Sequence, residues 1–324
     1  MRMIRLVCLT TALTGSLLLP GATTPAQAFE SNGPDIAVGN VTAHLQALSD
    51  IAAANGGNRA HGTTGYNASV DYVKGKLDAA GYTTQKVAFT YNGKTGYNLV
   101  ADLPGGDTTN TVMVGGHLDG VSSGPGINDN GSGSAAILEV ALQLAASGET
   151  PTKHVRFVWW GAEELGLLGS RHYVQRLSPA ARRQIALYLN ADMVGSPNFV
   201  RFVYDGDANG APAGSAAIER VFTRYFRSRS IEYRESGLGG GSDHASFAAA
   251  GIPVGGLFTG ADGRKSSDEA AAFGGRAGEP YDPCYHRPCD TLANVNARAL
   301  DQLGDALTHA VLRFARDSSR VNGR

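Results

Sequence analysis

The chain is poor in charge and in cysteine, and each shortage narrows what it does. Only 18% of its 324 residues are charged, and 29 acidic side chains against 28 basic ones leave a net charge of −1. That balance gives no electrostatic case for a nucleic acid or an anionic membrane as partner. Of three cysteines, Cys8 lies near the N-terminus, while Cys284 and Cys289 share the stretch YDPCYHRPCD. Such a pair is at most half of a structural zinc site, and no second pair completes it. In an oxidising compartment a local disulfide is the better reading, and it would hold the shape of a loop containing His286. No G-x-S-x-G elbow is present, which disfavours a Ser/His/Asp hydrolase. The glycine-rich GSGSAA lacks the lysine of a phosphate loop. Neither an internal repeat nor a low-complexity linker interrupts the chain.

The first 28 residues run from Arg2 and Arg5 through an apolar stretch to Ala26-Gln27-Ala28. That order is the one found in secretory signal peptides, with cleavage expected after Ala28. Thr, Gly and Ser interrupt the apolar run, which is short for a membrane anchor. The expected division is a signal peptide over residues 1–28 and one catalytic domain over 29–324, secreted to the extracellular space.

Beyond that point helical and strand patterns alternate. VTAHLQALSDIAAAN and ASVDYVKGKLDAAG read as helices, and TTQKVAFTYNGKTGYNLVADL as a hairpin about Asn92-Gly93. TVMVGGHLD, HVRFVWW and IALYLNADMVG are apolar strands, separated by helices at GSGSAAILEVALQLAASG and ELGLLGSRHYVQRL. A helix at SAAIERVFTRYFRSR, a short helix and strand in DHASFAAAGIPVGGLF, and a final helix at ARALDQLGDALTHAVLRFARD complete the pattern. Strands that are apolar throughout belong to a mostly parallel sheet covered on both faces. The fold class is therefore α/β, a single-domain α/β/α sandwich. Residues 261–282 read as a mobile rim ahead of His286.

In open α/β sheets, ligands sit beyond the carboxyl ends of the strands. Acids and histidines recur there: His117 and Asp119, Glu163 and Glu164, and Asp192. With Asp129 in GINDNGSG and His286, they give two imidazoles and three carboxylates, namely His117, Asp129, Glu164, Asp192 and His286. That donor set suits one or two borderline metals, zinc foremost. Adjacent residues on a regular strand point to opposite faces, but at a strand-to-helix turn both can face one pocket. Glu164 would then bind metal while Glu163, near the water but not spent on metal, would act as general base. Taken singly, these residues have plainer readings. Asp129 alone is also good helix-capping chemistry, and Asp243-His244 in GSDHASF reads as a helix start capped by Ser242 or Asp243. His44, His61, His154, His172 and His309 read as surface or packing residues.

In combination, GGHLDGVSSGPGINDNGSGSAAILE, VRFVWWGAEELGLLGSRHYV, YLNADMVGSPN, GSDHASF, IPVGGLFTGA and CYHRPCDTLANVN resemble the secreted co-catalytic zinc aminopeptidases of the Streptomyces type. The similarity extends to GGNRAHGTTGYNASVDYVKGKLDAAGY and so over nearly all of the mature chain. The resemblance implies two zinc ions, with His117 and Asp192 on one, Glu164 and His286 on the other, and Asp129 bridging. It implies that Glu163 is general base and then acid, that Asp119 orients the His117 imidazole, and that Tyr285 donates to the oxyanion. A Cys284–Cys289 disulfide and a cis peptide bond between Asp129 and Asn130 follow from it too. The free ammonium of the substrate would meet Glu163, Asp192 and a carbonyl near GSDH. A pocket of Met193, Phe258 and neighbours would favour Leu, Met or Phe as N-terminal residue. One departure is Gly241, where this type has an arginine, so any guanidinium contact to substrate is lost.

Similar enzymes also hold calcium at positions corresponding to Asp35, Ile36, Asp301 and Asp305. Two aspartates four apart share a helix face and repel each other without a cation; a solvated acidic face is the alternative. The implied partners are peptides or proteins with a free N-terminus, acted on by a monomer, with neither nucleic acid nor membrane involved. A di-zinc carboxypeptidase or deacylase is the alternative activity, although no arginine stands in the motifs to meet a substrate carboxylate. A non-catalytic binding ectodomain is the alternative from another class.

Overall fold

The computed structural model describes residues 35–323, so the signal-peptide reading lies outside the described residues. These residues form one eight-stranded mixed sheet with helices on both faces. The strands are β1 (Thr83–Tyr91), β2 (Lys94–Asp102), β3 (Asp107–His117), β4 (Lys153–Trp160), β5 (Ile185–Ala191), β6 (Phe202–Tyr204), β7 (Arg234–Ser236) and β8 (Val254–Phe258), ordered β1-β2-β4-β3-β5-β8-β6-β7. The central pairs β4–β3, β3–β5 and β5–β8 are parallel. The β1–β2 hairpin joins β4 antiparallel at one side, and β6 joins β8 antiparallel at the other.

The central strands are apolar throughout because each face has its own core. On β3, β4 and β5, Val112, Val114, Phe157, Trp159, Leu187 and Leu189 enter the larger core. The intervening Met113, Val158, Trp160 and Tyr188 enter the smaller one with Phe247. The larger core is roofed by α1 (Val38–Ala54), α2 (Thr64–Ala79), α3 (Gly133–Ala146), α6 (Ser215–Ser228) and α9 (Ala297–Arg316). The smaller is covered by α4 (Leu168–Arg176) and α7 (His244–Ala248), with α5 (Pro179–Gln184) beside β3 and β5. Burying one of these large side chains contributes about 1.5–3 kcal/mol.

Local signals set several boundaries. The Thr63 hydroxyl caps α2 by accepting from Tyr66 N–H, and Asn296 caps α9 in the same way. The helix expected from Glu164 begins only at Leu168. Residues before it form a turn in which the Gly166 and Leu167 amides both donate to the Glu163 carbonyl at 2.8 Å. Within residues 261–282, Ser266 and Glu269 form a capping box at α8 (Ser267–Phe273), and buried Lys265 donates to the Gly274 carbonyl at 2.7 Å. A four-residue α10 (Ser319–Asn322) ends the described chain. No helix among the described residues is long and apolar enough to cross a membrane.

Candidate metal centre

The carboxyl ends of β3, β4 and β5 bring three chain segments together, and two loops complete the cluster. His117 ends β3, buried to 1% exposure. Its Nε2 lies 3.3 Å from Asp129 Oδ1 and 3.3 Å from Asp192 Oδ1. Asp129 reaches it from a π-type turn, Ile127–Ser132, ahead of α3. That turn contains the cis Asp129–Asn130 peptide bond and follows Gly126, whose φ of +64° favours glycine. The second oxygen of Asp129 lies 3.0 Å from Nε2 of His286, and that same nitrogen lies 2.8 Å from Glu164 Oε2. Asp129 therefore stands between the two imidazoles, with Asp192 beside one and Glu164 beside the other. Glu163 closes the group: one of its oxygens lies within 4.8 Å of donor atoms of His117 and Asp192. The adjacent glutamates reach a common pocket because Ala162, at φ +55°, turns the chain away from the strand.

Hydrogen bonds hold each member in place. The Nδ1 of His117 meets the carbonyl oxygen of Asp119 at 2.9 Å. The carboxylate expected to orient that ring is farther off, with Oδ1 3.8 Å from Nδ1. That carboxylate instead accepts the Glu163 amide at 3.1 Å and so fixes the general-base candidate. Asp192 receives the Ser242 hydroxyl at 2.6 Å, the end of a buried line of bonds running from Trp160 Nε1 through Tyr188 and Asn190. The Asp290 carboxylate accepts the amides of Asn128 and Asp129 at 2.8 and 3.0 Å. Asp282 accepts from Asn128, Asn294 and the Cys284 amide, tying the His286 loop to the turn. A disulfide joins Cys284 to Cys289 in that loop, and the Tyr285 ring stacks on His286 with centroids 3.8 Å apart.

Buried Arg59 donates to the carbonyls of Leu118, Pro125 and Gly126, stitching the His117 and Asp129 loops together. Sequence reasoning assigned no role to Arg59, Asp282 or Asp290. It read GSDHASF as a helix start capped by Ser242 or Asp243. Asp243 does stand at the start of α7, but its side chain caps nothing, while Ser242 bonds to Asp192. In GSDH and CYHRPCD, the polar residues beside His244 and His286 were the available signal.

The electrostatics are those of crowded acids. Burial pushes Glu163 up to about 10; His117 opposes this, and Asp243 and Asp192 add to it. Burial likewise lifts Glu164 to about 7, with Asp129 adding to the rise and His286 opposing it. Burial also raises Asp129, but its bonds to His117 and His286 outweigh that and hold it at about 2. His286, bonded to Asp129 and Glu164, is lifted to about 10. Glu164 Oε1 and Asp119 Oδ2 are buried without a hydrogen-bond partner. Two imidazoles cannot satisfy this many carboxylate lone pairs, whereas divalent cations can. Nitrogen and carboxylate oxygen donors in this ratio fit zinc.

A pocket of about 200 Å³ opens beside Asp192, lined by Tyr204, Leu238, Gly241, Ser242 and Phe258 among others. Phe258 and Gly241 both line it. Met193 does not line it: its side chain is 2% exposed, and its backbone, at φ +47°, bonds to Asn130 and Thr259.

An α/β sandwich with clustered acids and imidazoles at its strand ends is a layout suited to a metal-dependent enzyme. Residues 98–311 match peptidase family M28, and the chain belongs to that family. It is 53% identical over 301 residues to leupeptin-inactivating enzyme 1 of Streptomyces exfoliatus, covering 93% of this chain and 66% of that one. An aminopeptidase of Pseudomonas aeruginosa is 54% identical over 215 residues, 65% of this chain and 40% of its own. This chain therefore spans only part of the length of these relatives. Among solved structures, a zinc aminopeptidase from Bacillus subtilis superposes with a TM-score of 0.57 at 28% identity, covering 70% of this chain and 52% of that one.

Proposed function

We propose that the chain is a secreted zinc-dependent aminopeptidase that removes large apolar N-terminal residues from peptides. The observation that carries this is Asp129, with one oxygen toward His117 and the other toward His286. His117 and Asp192 would hold one zinc, Glu164 and His286 a second, and Asp129 both. Zinc supplies Lewis acidity to a water molecule and to the peptide carbonyl. With the cations bound, their charge would offset the burial that raises Glu163 and keep it ionised, so that it accepts the proton of the attacking water and passes it to the leaving amine. Asp119 positions Glu163 through the Glu163 amide and His117 through its own carbonyl. The Tyr285 hydroxyl donates to the developing oxyanion.

Glu163, Asp192 and a carbonyl near Gly241 receive the substrate ammonium, with no guanidinium from position 241. The pocket closed by Phe258 and Leu238 supports the apolar preference. Calcium at Asp35, Asp301 and Asp305 belongs to the same reading, since their oxygens lie within 4.8 Å of one another. The Ile36 amide donates to Asp305 at 2.8 Å, so at Ile36 only the carbonyl is left to serve as a ligand. The enzyme works as a monomer. Secretion rests on the N-terminal charged, apolar and small-residue order.

The test is hydrolysis of leucyl-p-nitroanilide beside its N-acetylated form, by chelator-stripped protein with zinc restored stepwise. Cleavage of the free amine alone, rising to a second equivalent of zinc, is the expected result. Cleavage of the blocked form would replace this reading with a deacylase or endopeptidase, and cleavage of neither by zinc-loaded protein would favour a binding module.

A further inference from the structure

A second pocket, about 540 Å³, flanks the metal centre and shares no lining residue with the one beside Asp192. Asp119 and Glu164 form its inner wall. Its outer wall is the tip of the β1–β2 hairpin, Tyr91, Asn92 and Lys94, together with Leu165 and His61. Among the described residues, the large hydrophobic side chains left exposed are Tyr91, at 37%, and Leu165, at 47%, and both line this pocket. Apolar side chains that line a pocket beside a reactive centre offer a ligand surface to bury there. His61 sits within the wall, 6% exposed, stacked on Phe89 at 5.6 Å and edge-on to Tyr91 at 6.5 Å. These rings make a stiff aromatic face. Lys94 is exposed and has no carboxylate partner among the described residues.

An exopeptidase that removes one residue places that residue on one side of the attacked carbonyl and the rest of the chain on the other. With the pocket beside Asp192 taking the first residue, the leaving peptide lies along the Glu164 side. We infer that this second pocket, built by the hairpin tip and Leu165, is the subsite for the leaving peptide. It selects an aromatic or branched apolar second residue, whose free carboxylate, in a dipeptide, meets Lys94. The inference rests on the aminopeptidase reading above. A large apolar side chain gained or lost at such a surface changes discrimination by about tenfold or more. A glycine at that position offers Tyr91 and Leu165 nothing to cover.

The test compares kcat/KM of the zinc-loaded full chain on Leu-Phe, Leu-Gly and leucinamide. Leucinamide has no leaving residue, so it reports the metal centre alone. Wild-type protein should prefer Leu-Phe to Leu-Gly by about tenfold. Tyr91→Ser combined with Leu165→Ser should narrow that ratio to about threefold or less. Lys94→Glu should lower both dipeptide rates by about fivefold relative to leucinamide. Circular dichroism on each variant verifies the fold, and Lys94→Glu, at an exposed position, is the second route should the double variant misfold. Leucinamide cleaved with no dipeptide preference, or a preference unmoved by the variants, overturns the subsite alone. Failure to cleave leucinamide overturns the aminopeptidase reading and the subsite with it.

Discussion

Two groups of carboxylates in this molecule invite comparison. One is the metal centre. The other is Asp35, Asp301 and Asp305, where the start of the described chain meets the last long helix. In both, burial and mutual repulsion raise acids; Asp305 reaches about 7, with burial the main cause, the Ile36 amide opposing, and Asp35 and Asp301 adding to the rise. The difference lies in what orients them. At the metal centre two imidazoles interleave with the acids; Asp290 holds the Asp129 backbone, Ser242 the Asp192 carboxylate, and Asp119 both the Glu163 amide and the His117 ring. At the helix cluster no imidazole intervenes, Asp35 is exposed, and the Ile36 amide is the bond that ties the two segments. A buried, doubly supported donor set is preorganised for chemistry, whereas a half-open acidic corner is suited at most to a structural cation.

The sharpest way to probe that contrast is to separate the adjacent glutamates. Glu163→Ala should retain bound zinc and lose about 10²–10⁴ in kcat, the usual share of general acid–base catalysis. Glu164→Ala should lose metal as well, as measured by atomic absorption on dialysed protein. Equal metal content and near-normal rates in both would sink the assignment. Next in size are the supports: Asp290→Ala and Ser242→Ala should each weaken zinc binding about 10- to 100-fold in chelator competition. If zinc affinity is unmoved, preorganisation is not what distinguishes the centre.

Smaller still is calcium at the helix cluster. Saturating calcium should raise the melting temperature of wild-type protein by several degrees, since about 2.7 kcal/mol accompanies a hundredfold excess over Kd. Asp301→Asn with Asp305→Asn should abolish that response, and an undiminished shift would place calcium elsewhere. Smallest should be the loss of the Cys284–Cys289 bridge, which closes a loop with a sequence separation of only 5. Replacing both cysteines by serine should lower the melting temperature by a few degrees while weakening the zinc held by His286.

Much of this was legible before any coordinates. Uninterrupted apolar runs ending in HLD, GAEE and NAD identified central strands and the residues beyond them, because a strand buried on both faces needs apolar side chains at every position. The three-residue strands β6 and β7 were not legible, nor were α5 and α8, since such short segments carry too little periodicity. Asp290 and Arg59 were invisible as supports for a different reason. What they bond is chiefly main chain, Asn128 and Asp129 for one, Leu118 and Gly126 for the other, and nearly any residue type other than proline would offer the same amide or carbonyl there.

Sequence alone determined the composition of the donor set and the alternation of strands and helices. These depend on side-chain chemistry and on neighbours a few positions away. Tertiary structure decided which oxygen of Asp129 faces which imidazole, that a carbonyl rather than a carboxylate holds His117, and that Met193 is buried rather than lining the pocket beside Asp192. Those outcomes depend on distances between segments dozens of residues apart, and the packing of the sheet sets them.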